Sequence, residues 1–330
     1  MFSKQIFMQG LLATALSASA LAQSQDNEVF VDQAGHGNQV AVDQGANGLA
    51  EDNEVYIDQI GDNNLTLINQ GEDGTAQGNE ATVLQESNNS RATIGQGGSG
   101  GVATGNEATI EQSGDLNNAN IQQGDVSGLG ENNEAVVQQE GVNNFGAIGQ
   151  GFGNASDGRN NQAYIVQSGH DNEAAIGQGI EGVGLNNESR VEQHGTANNT
   201  DIFVGRNGNG FAEDNEAYAY QEGEANVITI DQGVGETAID NHATVEQIGN
   251  FNATNVTQFG EGNKTVARQT GDSNEADIIQ SNEDNEALLE QVGDFNVAQI
   301  GQFGQSDLAD VYQEGSENSV IINQGGLFTP

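Results

Sequence analysis

One seven-residue pattern, Asn-x-small-x-aliphatic-x-Gln, runs through this chain twenty-four times. The copies begin at residues 27, 38, 53, 64, 79, 90, 106, 117, 133, 144, 161, 172, 187, 198, 215, 226, 241, 252, 263, 274, 285, 296, 307 and 318. The first position is Asn except at Ser90 and Asp307, and the seventh is Gln except at Val204. The fifth is always aliphatic, from Val31 to Ile322. In the copy that starts at Asn27, residues Asn27, Val29, Val31 and Gln33 share one face and Glu28, Phe30 and Asp32 the other, which is the period of a β-strand.

The spacing of the copies says how such strands connect. Within a pair, four turn-type residues follow the first Gln, as in Ala34-Gly35-His36-Gly37 and Ile60-Gly61-Asp62-Asn63, so each pair is a strand-turn-strand unit. The return to the next pair takes eight to ten residues up to Asp240 and four from Phe259 to Gly262 onward. The repeat period thus falls from 26 to 28 residues to a regular 22. The enlarged returns from Gly45 to Asp240 read as loops that either present ligands or are tolerated insertions.

A unit of this size cannot bury its inner face alone. About twelve such units are therefore expected to stack, each strand on its equivalent, into an all-β solenoid with two facing parallel sheets and a thin core. Thirteen third positions are Ala, among them Ala81, Ala108, Ala135 and Ala287, small enough for the sheets to approach. Asn and Gln at the strand ends are expected to stack on their own kind, because an amide both donates and accepts and a column of identical amides satisfies itself. The ladder positions include Asn27, Gln33, Asn38, Gln44, Asn53, Gln59, Asn64 and Gln70 near the start and Asn285, Gln291, Asn318 and Gln324 near the end. Twelve rungs at about 4.8 Å make a rod on the order of 60 Å long.

Residues 1–22 stand apart. Lys4, an apolar run from Ile6 to Leu16 and the Ala20-Leu21-Ala22 ending read as a secretory signal peptide, too short in its apolar part for a bilayer span. Residues 23–330 then form the repeat region, with 49 acids against 6 bases and a charge of −43. That charge excludes nucleic acid and anionic membrane surfaces, both of which are gripped by Lys and Arg. Aromatic residues make up 5% of the chain and Cys is absent, so stability has to come from backbone and amide hydrogen bonds. Little sequence flanks the first and last copies, and the single Pro is Pro330. The end strands are accordingly expected to template further strands and build a cross-β fibre.

Tandem units of the form N-x-x-x-x-x-Q-x-G-x-x-N-x-x-x-x-x-Q behind a leader resemble the curlin repeat of curli major subunits, over residues 27 to 324. The turn glycines Gly35, Gly114 and Gly249 carry part of this likeness. The resemblance implies a subunit that pairs with itself in a homopolymer fibre. It also implies export through a dedicated outer-membrane pore, nucleation at the surface of a Gram-negative bacterium, and extracellular amyloid serving adhesion and biofilm matrix. Twelve units, enlarged returns and high acidity set this chain apart from the usual family pattern.

Chemistry other than assembly finds few residues. A Glu follows the leading Asn at Glu28, Glu54, Glu80, Glu107, Glu134, Glu188 and Glu216. In a stacked chain these line one outer face, each neighbouring pair repelling by about 0.9 kcal/mol in water before screening. Such a face keeps the chain soluble before export, and relief of the repulsion by protons or by weak, diffuse divalent cations is one expected trigger of assembly. His36, His170, His194 and His242 lack metal-ligand spacing, and no cofactor is expected. The outward Phe30, Tyr56, Tyr218 and Tyr220 read as cover for the sheet. No copy departs from the pattern in a way that assembles a catalytic constellation, so enzymatic activity is not expected. The alternative function is a monomeric acidic β-solenoid adhesin or surface-binding protein.

Overall fold

The computed structural model describes residues 6–9, 24–45, 47–154, 156–207 and 210–325. The leader reading falls mainly outside them. Of residues 1–22 only Ile6–Gln9 is described, as a parallel strand beside Glu28–Ala34.

The chain is an all-β parallel solenoid. The first strand of every pair joins a 13-stranded sheet, which runs from Ile6–Gln9 and Glu28–Ala34 to Leu308–Glu314. The second strands form a 12-stranded sheet from Gln39–Gln44 to Ser319–Gln324. Register is one residue on its equivalent throughout: Ala108 pairs with Ala81 and Ala135, and Ile110 with Val83 and Val137. Burial alternates accordingly, as in Glu107–Ser113, where Ala108, Ile110 and Gln112 are buried and Glu107 and Ser113 exposed. The third- and fifth-position side chains of both sheets meet in one apolar cluster that runs the length of the rod. Each fully buried Ile in it, such as Ile57, Ile110 or Ile165, removes enough apolar surface to favour folding by about 1.5 to 3 kcal/mol.

The expectation of two sheets is corrected by a third. The enlarged returns are not loops: each contains a short strand, from Leu49–Glu51, Thr75–Gln77 and Val102–Thr104 to Thr237–Ile239, stacked in a 10-stranded parallel sheet that Ser24–Gln25 opens and Gly260–Glu261 closes. The physical reason is that the stack delivers each return at the same height and in the same register as its predecessor. Unpaired N–H and C=O groups at that site find partners directly above and below. The middle residue is Ala or Gly in every enlarged return and fully buried at Ala50, Ala76, Ala103, Ala212 and Ala238. It stands three residues before the next leading Asn, a signal that was present in the sequence. The residue after the second Gln of these pairs is likewise Gly (Gly45, Gly71, Gly97, Gly124), and a Cβ at Gly45 would lie 3.1 Å from the Ala50 methyl. Where the return shrinks to four residues, that position becomes Phe259, Ser281 or Phe303, and the third sheet ends in the first such return, at Gly260–Glu261.

The four-residue turns between paired strands stack as well. Gly114, Gly141, Gly169, Gly195, Gly223 and Gly249 form one column at positive φ. A Cβ on Gly169 would come within 2.0 Å of the Gly195 carbonyl oxygen, so the backbones approach too closely for any side chain.

Candidate functional site: amide ladders and terminal rungs

The Asn at the start of each first strand does three things at once. Asn53 Nδ2 donates to Asn27 Oδ1 at 2.9 Å, and its backbone N–H donates to the same oxygen at 2.9 Å. Asn53 Nδ2 also donates to the Ala76 carbonyl at 3.0 Å, which ties the first sheet to the third. The arrangement recurs at Asn79 with Ala103, Asn106 with Gly130 and Asn133 with Gly158. Past the end of the third sheet, Asn285 Nδ2 instead reaches the Ser281 and Gly304 carbonyls, at 2.8 and 3.2 Å. Second-strand Asn side chains bind the turn: Asn64 Nδ2 donates to the Ser87 carbonyl at 2.7 Å, and the Asn64 N–H donates to Asn38 Oδ1 at 2.9 Å. Asn318 continues that column on Asn296 Oδ1, at 2.9 Å.

Gln side chains at the strand ends form two chains of amides. In the first sheet Gln33 donates to Gln59, Gln59 to Gln85 at 2.7 Å, and so on to Gln291, which donates to Gln313 at 2.8 Å. In the second sheet Gln44 donates to Gln70 at 2.9 Å and Gln302 to Gln324 at 3.0 Å. The same amides stitch the sheets together, for Gln96 Nε2 also donates to the Glu80 carbonyl at 3.1 Å on the facing strand. Buried amides would be costly unpaired, and in these columns they pair with one another except beside Val204.

The three departures from the pattern have different outcomes. At Ser90 the missing amide is replaced by two hydroxyls, since Ser87 Oγ donates to Asn64 Oδ1 at 3.1 Å and the Asn117 N–H donates to Ser90 Oγ at 3.2 Å. Asp307 accepts the Gly304 N–H at 3.0 Å. Val204 breaks its ladder without replacement: Gln178 Nε2 turns to Ser189 Oγ at 3.1 Å, and Gln232 Oε1 is buried with no hydrogen-bond partner.

Outer charges follow the same register. Glu28, Glu54, Glu80, Glu107 and Glu134 stack on five successive strands. Burial first, then Glu80 and Glu134, raise the Glu107 carboxyl above its ordinary range. Burial, then Asp32 and Glu86, do the same to Asp58. Further along the column the repulsion is relieved, as Glu216 meets His242 Nδ1 at 2.8 Å and Lys264 meets Glu286 at 2.9 Å.

At the last rung the interior positions come out of cover. Val320, Ile322 and Gln324 are partly exposed, whereas their equivalents Ala298, Ile300 and Gln302 are buried. Among the described residues no strand pairs with the outer side of Ser319–Gln324 or Leu308–Glu314. This rung therefore offers a row of backbone groups, apolar side chains and amide ends in the geometry that every interior rung uses to bind the next.

The curlin associated repeat, as a family model, matches residues 157–179, 212–249 and 249–281. No curated protein matches the chain. The matched segments coincide with rungs whose Asn and Gln columns and turn glycines are continuous with those on either side, so over these residues the chain is similar to the curlin associated repeat.

Proposed function

We propose that the chain is the structural subunit of a curli-type extracellular fibre, assembled by end-to-end stacking of copies. The observation that carries this reading is the last rung, where Val320, Ile322 and Gln324 repeat a buried interior geometry but stay partly exposed among the described residues. A second copy stacked there would place its first rung as Ser319–Gln324 is placed on Val297–Gln302, extending both sheets and both amide chains. On this reading residues 1–22 are removed during export, which also clears Ile6–Gln9 from the edge of Glu28–Ala34. The partners are then the chain itself, a surface nucleator and an outer-membrane pore, and the fibre contributes to adhesion and biofilm matrix on a Gram-negative bacterium. A structural role fits a surface built from repeated ladders. Among the described residues no helix is long and apolar enough to cross a membrane.

The deciding experiment is to dilute the chain lacking residues 1–22 from denaturant at neutral pH and follow thioflavin fluorescence, then fibre diffraction. Fibres with reflections near about 4.8 and 10 Å support the proposal. A β-rich chain that stays monomeric at high concentration removes it and leaves an acidic solenoid adhesin.

A further inference from the structure

The two ends of the rod are not equivalent. Among the described residues nothing pairs with the outer side of Leu308–Glu314 or Ser319–Gln324, whereas at the other end the first sheet carries one strand more than the second, 13 against 12. The additional strand is Ile6–Gln9, from the leader, laid parallel on Glu28–Ala34 with Ile6 on Val29, Phe7 on Phe30, Met8 on Val31 and Gln9 on Asp32. It takes the edge that every interior first strand offers to its predecessor. Its register sets apolar residues against Val29 and Val31, the third and fifth positions of the first copy.

As a rung, however, this strand is incomplete. It pairs over four residues, where Glu54–Ile60 pairs with the other side of Glu28–Ala34 over seven. The step from Ile6 to Val29 is 23 residues, not the 26 from Val29 to Val55. The residues 23 before Asn27 and Gln33 in the sequence are Lys4 and Gly10, so the leader has no amide at either ladder position. Gln59 accepts the Gln33 amide, while Gln33 accepts none among the described residues. In the second sheet no described strand lies beyond Gln39–Gln44. The leader strand thus closes a backbone edge without passing the pattern on.

We propose that Ile6–Gln9 is an intramolecular cap, which keeps the first rung of this chain from stacking on the last rung of another copy until the leader is removed. The inference rests on the fibre reading above and adds its control. Leu308–Glu314 and Ser319–Gln324 are joined by a four-residue turn and arrive as one unit, so occupation of the first-sheet edge withholds both sheets. Four paired residues suffice against seven because the cap is covalently linked. Eighteen residues separate Gln9 from Glu28. A link of that order gives an effective concentration on the order of 1 mM, about a hundredfold above free chain at about 10 µM. A capped copy still presents its own last rung, so it joins a fibre only as a terminal member.

The test compares three chains diluted from denaturant at neutral pH: residues 1–330, residues 23–330, and residues 1–330 carrying Phe7→Pro with Met8→Pro. Two adjacent prolines remove the backbone donor that faces Glu28–Ala34, whichever residue supplies it, and keep the segment apolar. The thioflavin half-time of 1–330 should exceed that of 23–330 by at least about tenfold, and the proline variant should fall within about twofold of 23–330. Amide exchange of unassembled chains, read by mass spectrometry, should show protection of residues 28–34 in 1–330 and its loss in the other two. Circular dichroism checks that all three keep the same β content. Fibres from 1–330 as fast as from 23–330, or a proline variant as slow as 1–330, would overturn the cap. If 23–330 forms no fibre, the fibre reading falls by itself and exchange decides the cap: equal protection of residues 28–34 in all three chains overturns it, and protection confined to 1–330 upholds the docking of the leader on this edge.

Discussion

Gln178 and Gln232 stand two rungs apart in one column, and Val204 between them severs the amide chain that both would otherwise continue. Gln178 Nε2 is diverted to Ser189 Oγ, and Gln232 Oε1 is buried without a donor. Val204→Gln would supply both missing bonds, in a geometry used at every neighbouring rung of that sheet. Each such bond contributes about 1 kcal/mol net, and an orphaned buried acceptor costs about 1 to 3. The variant should therefore raise unfolding stability by about 2 kcal/mol, read as a shift in the urea midpoint of unassembled chain. A lowered midpoint would show that the rung has closed around the valine and has no room for the amide.

Asn133 illustrates the opposite substitution. Its Nδ2 donates to Asn106 Oδ1 and to the Gly158 carbonyl, and its Oδ1 accepts from the backbone and side chain of Asn161. Asn133→Ala would strand buried partners on two neighbouring rungs and on the third sheet, at a cost of about 3 to 5 kcal/mol. Gln138→Ala, on the exposed face of the same strand, should change stability by less than about 0.5 kcal/mol. Equal midpoints for the two variants would remove the ladder as a source of stability.

The turn column makes a steric prediction. Gly169→Ala places a methyl 2.0 Å from the Gly195 carbonyl oxygen at φ +114, and should cost more than about 3 kcal/mol or prevent folding. Gly78 is also at positive φ (+61) but has nothing within 4 Å of a built Cβ, so Gly78→Ala should cost only about 1 kcal/mol. Comparison of the two by thermal denaturation separates close packing from backbone strain.

The stacked glutamates predict a pH dependence. The folded-state pKa of Glu107 lies above its unfolded value, so between the two the unfolded chain has lost the proton that the folded chain keeps. Stability therefore falls as pH rises from the ordinary carboxylate value of about 4.3 through the raised one, and the full penalty is present at neutral pH. Glu107→Gln should stabilise the chain at pH 7, and the effect should shrink as pH falls below the ordinary carboxylate value of about 4.3, where folded and unfolded chains both take up the proton. An equal effect on either side of that value would show that the repulsion along Glu80, Glu107 and Glu134 is screened away. Fibre growth should respond in the same sense, faster near pH 4 to 5 than at pH 7, as followed by thioflavin fluorescence.

What the sequence by itself determined is whatever recurs at a fixed step. Asn, Gln and the aliphatic fifth residue return every 22 to 28 positions, and a parallel stack turns identity along the chain into identity along the rod. Strand register, core composition and the amide columns were therefore legible, as were the outward glutamates. The third sheet was not, because Leu49-Ala50-Glu51 and Asp157-Gly158-Arg159 share no hydrophobic pattern that a three-residue window can reveal. They become strands only once the two larger sheets have set the height of each return. Only the tertiary structure decided which departures from the pattern matter. Ser87 covers the loss at Ser90, whereas nothing among the described residues reaches Gln232 Oε1 past Val204. It also decided why Gly177 ends the run of outward side chains on its strand: Ile180 folds back over it, and a Cβ there would meet that side chain at 2.5 Å. Such contacts join residues at irregular separations, through the path of the return, and a periodic sequence carries no record of them.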